Sequence, residues 1–203
     1  MKITFPKISR TAVAVSAALV VLLPGAASAQ EGPWLVRVRA INLDSANKDS
    51  TGLDLSINNK VIPELDISYF FTPEWSAELV LTYPQKQTLS AGTAEIGTLK
   101  HLPPTLTAQY HFTGLGGFVP YVGAGVNYTH FSSVNLPAGV DVKRNSYGLA
   151  AQIGVDVPLT KSLSLNVDVK KVQIRTDVSA GGTTLGKFKI DPLLVGVGLG
   201  WRF

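Results

Sequence analysis

The sequence contains no cysteine, which excludes disulfide staples. Exported chains often use them, but a barrel closed by its own hydrogen bonds needs none. Beyond residue 29 there is no apolar run near the ~20 residues of a membrane-spanning helix, which excludes an α-helical membrane protein. No basic stripe with interleaved aromatics occurs, so nucleic acid is not an expected partner. The three histidines, His101, His111 and His130, lack the paired spacing of a zinc site, and no metal is expected. Gly196-Val197-Gly198-Leu199-Gly200 superficially resembles a nucleotide loop. It lacks the helix that would supply phosphate-binding amides, and no cofactor is expected.

The N-terminus carries Lys2, Lys7 and Arg10, then an apolar stretch from Ala12 to Leu23, then Pro24-Gly25 and Ala27-Ser28-Ala29. This reads as a secretory signal, residues 1–29, with an Ala-x-Ala cleavage site before Gln30. Its apolar core is too short to cross a bilayer of ~30 Å as a helix. Setting these residues aside removes three of eighteen bases and none of the fourteen acids, leaving a net charge of +1. The high pI of the full chain therefore says nothing about partners.

At the other end, Leu193, Val195, Val197, Leu199, Trp201 and Phe203 alternate with small or polar residues. A strand with one greasy and one small or polar face, ending on an aromatic, suits the lipid-facing wall of an outer-membrane β-barrel. Trp201 and Phe203 resemble the terminal signal favoured by barrel-assembly machinery.

Period-two alternation continues through eight runs, roughly 33–43, 60–71, 75–86, 99–113, 118–131, 144–157, 162–176 and 187–203. The gaps between them alternate long and short. Asp44–Asn59, Gln87–Thr98, Ser132–Lys143 and Asp177–Gly186 are long, while 72–74, 113–117 and 158–161 are tight. The pattern predicts an all-β fold: an eight-stranded antiparallel transmembrane barrel over 30–203, with short periplasmic turns and four longer extracellular loops. Trp34, Trp75, Tyr110 and Trp201 would girdle the periplasmic rim, and Tyr83 and Tyr128 the outer one.

Alternation also assigns an interior. Arg37, Arg39, Lys170 and Arg202 point inward with Glu64, Asp66, Glu78, Asp156 and Asp168. Charges in a narrow lumen must be paired or hydrated. They are expected to form a salt-bridge plug, since small barrels fill their interiors; a polar ion pore is the alternative. Strand glycines such as Gly154, Gly198 and Gly200 are expected to relieve crowding inside a small cylinder.

Pro84 lies near the outer end of the third run, and Pro103-Pro104 near that of the fourth. Simple symmetric pairing sets Pro84 roughly opposite Pro103. Proline gives no N–H to the ladder, so the wall is expected to open there, either as a curving bulge or as a lateral gap. His101 and His130 are expected at the rim. His130 precedes Phe131-Ser132-Ser133, but neighbours in sequence need not meet in geometry, and no enzyme is expected.

Five stretches together resemble the OmpW family. They are Trp34-Leu-Val-Arg-Val-Arg-Ala40, His101-Leu-Pro-Pro-Thr-Leu-Thr-Ala-Gln-Tyr110, Pro120-Tyr-Val-Gly-Ala-Gly-Val-Asn-Tyr128, Ala151-Gln-Ile-Gly-Val-Asp156 and the tail from Asp191-Pro192. The resemblance spans essentially everything after the signal. It implies a narrow, rather hydrophobic channel passing small apolar molecules sideways into the membrane. Alkane-uptake proteins are relatives, and some members serve as bacteriocin receptors. The positions matching an apolar lumen constriction are Val80 and Lys170; lysine departs from the pattern and is expected instead to pair with acids below the channel. Tyr147 stands where an indole often precedes a strand glycine.

The expected function is passive uptake of small hydrophobic molecules, with candidate path residues Ile41, Val80, Pro84, Pro103, Pro104, Leu53, Leu55 and Leu136. A plugged structural or receptor barrel, touching bacteriocin, phage or host through its loops, is the second reading, and a small ion pore the third. The expected partners are the outer-membrane lipid bilayer, the barrel-assembly machinery and small hydrophobic substrates. The chain is expected to act as a monomer.

Overall fold

A computed structural model describes residues 32–203; the expected signal lies outside the described residues. In chain order the strands are β1 (Trp34–Asp44), β2 (Lys48–Asp49), β3 (Leu55–Ile57), β4 (Lys60–Phe70) and β5 (Trp75–Leu81). They continue with β6 (Gln85–Ala91), β7 (Ala94–Leu102), β8 (Thr105–His111), β9 (Val119–Asn135) and β10 (Val140–Val142). The last are β11 (Asn145–Pro158), β12 (Leu163–Val172), β13 (Arg175–Ala180), β14 (Thr183–Lys189) and β15 (Leu193–Arg202).

Eight of these close a wall in the order β1-β4-β5-β8-β9-β11-β12-β15, with β15 pairing back onto β1. Every neighbouring pair is antiparallel. Closure satisfies each strand's backbone on both sides, which a membrane interior demands. Alternation sets the faces. In β1, Leu35, Arg37, Arg39, Ile41 and Leu43 are buried inside, while Val38 is half exposed on the outside. Leu65, Leu79, Leu106, Val122, Ile153 and Val197 continue that outer apolar band around the cylinder.

Aromatic girdles flank the band. Trp34 meets Tyr69 edge-on at 4.9 Å, and Trp75 meets Tyr110 at 5.1 Å. Phe71 and Phe112 extend these two pairs. At the outer rim Tyr128 packs on Tyr147 at 5.1 Å. Amphipathic rings at both interfaces hold a barrel at a fixed depth.

The three periplasmic connections are short and the four outer ones long. The outer ones differ from the loops expected. Residues 85–102 form a hairpin, β6–β7, that extends the wall outward and pairs with β3 and with the upper part of β9. The other outer segments knit a second sheet, β10-β13-β14-β2. These strands escape a hydropathy reading because their inward positions include Gln85 and Gln87 as well as Leu89. The period is two, but it is not a period in apolarity. Gly92 turns the hairpin with φ +57°, a conformation that favours glycine.

Small residues set how closely the interior packs. A Cβ on Gly154 would stand 2.4 Å from the Tyr121 ring, and one on Gly198 would stand 2.0 Å from the Val38 carbonyl. Any side chain there would push the ring or the neighbouring strand aside.

Candidate functional site

The lumen has two layers. The lower, periplasmic layer is a charge network hung on β1. Arg37 and Arg39 are two residues apart, so both point inward. The wall places Asp66 beside Arg37 and Glu64 beside Arg39 on β4. Side-chain reach then crosses the register. Arg37 pairs with Glu78 at 2.7 Å and Asp156 at 2.6 Å. Arg39 pairs with Asp66 at 2.7 Å, Glu64 at 3.0 Å and Asp168 at 3.4 Å. Lys170 pairs with Glu64 at 3.1 Å.

Tyr121 and Asn166 tie the network together. The Tyr121 hydroxyl donates to Asp168 at 3.0 Å and accepts from Asn166 Nδ2 at 3.1 Å. Arg37 lies over the Tyr121 ring at 5.1 Å. Arg39 Nη2 and both Asp66 oxygens lack hydrogen-bond geometry despite their 2.7 Å approach. That contact is charge against charge rather than an aligned bond. Arg37, Asp66 and Glu78 are fully buried. Charges so placed are tolerated only while they remain paired.

Arg202 was expected in this network, but the structure places it at the periplasmic mouth. It pairs in register with Leu35, one inward position below Arg37, and its guanidinium lies 3.9 Å over the Phe70 ring. The mouth itself is a cavity of about 400 Å³ lined by Leu35, Phe70, His111, Asp156 and Arg202 among others. Just inside it, Ser76 Oγ lies 3.0 Å from His111 Nε2, and Gln109 Oε1 lies 3.1 Å from the same nitrogen. No cluster of three or more metal-ligating side chains occurs among the described residues.

The upper layer is hydrocarbon. Ile41, Leu43 and Ile62 from the wall pack with Leu55, Ile57, Leu89 and Leu99 from the outer strands. Phe131, Ile174, Phe188 and Ile190 join the cluster, each at most 1 % exposed. Between the layers lies a cavity of about 20 Å³ lined by Val80, Thr82, His101, Pro103, Lys170 and several aliphatic side chains. His101 is therefore buried inside the barrel and is not a rim residue. It follows Leu99 on the inward face of β7. His130 does lie at the rim, with Nδ1 2.8 Å from Asn145 Oδ1.

Beside this cavity the wall ladder is interrupted. The last β5–β8 pair is Val80↔Thr105, and the first β6–β7 pair is Gln85↔His101. Residues 81–84 thus face only 102–104. The extra residue shifts Pro84 alongside Leu102, one position from the Pro103 that symmetric pairing sets roughly opposite it. On the other flank the register onto β9 is unbroken, from Thr105↔Asn127 to Leu102↔His130. There Asn127 Nδ2 donates to the Pro103 carbonyl at 3.2 Å and to the Pro104 carbonyl at 3.1 Å. The Tyr128 N–H also donates to the Pro104 carbonyl at 3.1 Å. The sequence reading missed Asn127, whose one signal is an amide at an inward position close to a proline pair. Outside, Pro104, Leu106, Val126, Tyr128, Tyr147 and Leu149 line a lipid-facing groove of about 640 Å³.

The candidate path residues separate accordingly. Val80 and Pro103 line the inner cavity, and Pro104 the outer groove. Ile41 and Leu55 belong to the apolar cluster, and Leu136 packs against it. Leu53 is 39 % exposed on the first outer segment, away from that cluster.

A closed antiparallel barrel with a hydrocarbon belt, aromatic girdles and a charge-filled waist is a membrane-spanning β-barrel. The chain belongs to the OmpW family, whose profile matches residues 30–203. It is an outer-membrane protein embedded in the lipid bilayer. An uncharacterized outer-membrane protein, y4mB, of Sinorhizobium fredii is 42 % identical, covering 89 % of this chain and 86 % of the relative. Outer membrane protein W of Vibrio cholerae is 34 % identical, covering 86 % of this chain and 90 % of that protein. The crystal structure of OprG from Pseudomonas aeruginosa superposes with a TM-score of 0.73 at 26 % identity, covering 85 % of this chain and 97 % of OprG.

Proposed function

We propose that this barrel admits small hydrophobic molecules from outside and releases them sideways into the membrane. The observation that carries the reading is the interrupted ladder at 81–84 and 102–104. It stands where an apolar upper lumen ends on a charged floor, beside an apolar groove on the lipid face. A molecule entering from above meets paired charges below and hydrocarbon to the side. Desolvation bars an apolar solute from the charged floor and favours the side exit. Transport is passive, and the terminal pair Trp201 and Phe203 serves recognition by the barrel-assembly machinery.

Replacing Pro103 and Pro104 by Thr and Val, and Pro84 by Thr, gives the ladder back its N–H donors. Uptake of a medium-chain alkane by cells lacking their own copy should fall severalfold relative to the unaltered protein. Undiminished uptake by a correctly folded variant in the outer membrane would sink the proposal.

One observation favours a second reading, a receptor or structural barrel working through its outer strands. The upper cluster packs its layer with buried side chains, and the cavity that Val80 and His101 line beneath it measures only about 20 Å³. Under that reading cells carrying the protein would take up no more alkane than cells without it. An ion pore has the weakest support, because the charges that would line it are paired with one another.

A further inference from the structure

The small cavity between the two lumen layers has a polar end that the proposed apolar route does not use. Among the described residues, neither ring nitrogen of His101 has a hydrogen-bond partner, and nor has the Thr82 hydroxyl. His101 is fully buried. Both side chains line the cavity, which Glu64, Thr105, Lys170 and aliphatic side chains such as Ile62 and Leu194 also line. Buried polar groups left without partners are costly, and a site that keeps them is expected to fill them.

We propose that His101 and Thr82 form a head-group subsite for uncharged amphiphiles, of which medium-chain primary alcohols fit best. The inference rests on the lateral-uptake reading for the fate of the chain, and on the cavity alone for the head group.

The chemistry selects the class. A neutral imidazole offers one donor and one acceptor, and a hydroxyl offers both in return. An alkane offers neither. An anionic head is disfavoured, because Lys170 at the cavity is already paired with Glu64 at 3.1 Å and the network as a whole holds five carboxylates against three bases. Size limits the ligand further. A cavity of about 20 Å³ holds one hydroxyl-sized group and no more. The chain attached to that group must leave past Pro103, through the stretch where 81–84 and 102–104 are unpaired. Head and tail thus divide at the wall, the head hydrogen-bonded inside and the tail lying toward lipid.

The test uses the full mature barrel in dimyristoylphosphatidylcholine vesicles at pH 8, labelled with ¹⁵N-histidine. 1-Octanol should shift the His101 ring nitrogens, leaving His111 and His130 in place, whereas n-octane should not. In uptake assays His101→Phe and Thr82→Val should each slow 1-octanol about fivefold, the worth of one hydrogen bond. His101→Phe should leave n-octane within about twofold, and His101→Gln should recover part of the loss; for Thr82→Val, which lies in the unpaired stretch itself, the readout is the ratio of 1-octanol to n-octane uptake, which should fall about fivefold. If His101→Phe does not fold, Thr82→Val and the spectrum of the unaltered protein still decide.

Normal uptake of both probes with no His101 shift would overturn the subsite, leaving water as its occupant and the lateral route intact. A His101 shift without uptake of either probe would uphold the subsite and overturn the lateral route. Equal slowing of both probes in the variants would reduce His101 to a packing role and overturn the proposal.

Discussion

Below Val80 the lumen is held together by charge, and above it by hydrocarbon. Both layers are fully buried, and both rest on inward positions of the same wall strands. Arg37 and Arg39 lie in one layer and Ile41 and Leu43 in the other, four successive inward positions of β1. The two fillings respond differently to damage. Hydrocarbon is non-directional, so aliphatic side chains can slide and part without leaving anything unpaired. Ion pairs in a dry waist are directional, and separating them exposes charge to a medium that cannot solvate it. The proposed uptake route would use the first material where solute enters and the second where the lumen ends. Lys170 marks the boundary, since it lines the inner cavity while its ammonium group pairs with Glu64.

The largest break in this comparison should come from unbalancing the lower layer. Arg39→Leu leaves Asp66, Glu64 and Asp168 without their shared cation. The loss should be about 3–5 kcal/mol, read as a lower urea midpoint for the barrel in vesicles. A midpoint within error of the unaltered protein would mean the network is hydrated rather than sealed. In the upper layer, Leu89→Ala should cost about 2–4 kcal/mol by the same measurement. It should also speed hydrophobic uptake, because it widens the lumen above the plug. A slower rate would show that the cluster guides solutes instead of obstructing them.

A smaller effect is expected at the packing of the waist itself. Gly154→Ala drives a methyl into the Tyr121 ring and should cost about 1–3 kcal/mol. Adding Tyr121→Phe should not relieve it, because the clash is with the ring rather than the hydroxyl alone. Relief by that second change would place the strain in the hydroxyl's bonds to Asp168 and Asn166.

The smallest effect concerns the outer segment. Burial opposes ionisation of Asp49, but hydrogen bonds from the Thr51 hydroxyl and from the Thr51 and Leu55 N–H groups outweigh it and hold its carboxyl below the usual range. A lowered folded value means the carboxylate contributes order above the unfolded aspartate pKa of ~3.9 and loses that contribution as pH falls through the folded value. Protection of the Thr51 and Leu55 amides, taken against the intrinsic exchange rate at each pH, should therefore fall in acid, and Asp49→Asn should flatten the response. An acid loss of protection that survives in Asp49→Asn would assign the response to other groups.

The wall was legible before any coordinates, because alternation is a local property. Trp75, Ala77, Leu79 and Leu81 take one face and Ser76, Glu78 and Val80 the other in any β-strand of that register, and lipid makes the choice of face unambiguous. The outer strands were not legible. Gln85 and Gln87 carry the alternation in burial but not in hydropathy, so residues 87–98, most of β6 and the first half of β7, read as loop. His101 was misplaced for the same reason, since its inward position depends on a hairpin that the pattern did not reveal.

The sequence by itself determined the count of wall strands, the alternation of short and long connections, and the inner or outer face of the wall residues. Those follow from the fixed two-residue period of an extended chain and from a solvent that tolerates no polar outer face. Only the tertiary structure decided which carboxylate each arginine reaches, where Arg202 sits, that Pro84 slips past Pro103, and that Asn127 caps the proline carbonyls. Those depend on register and on side-chain reach across the cylinder, and both are set by strands far apart in the chain.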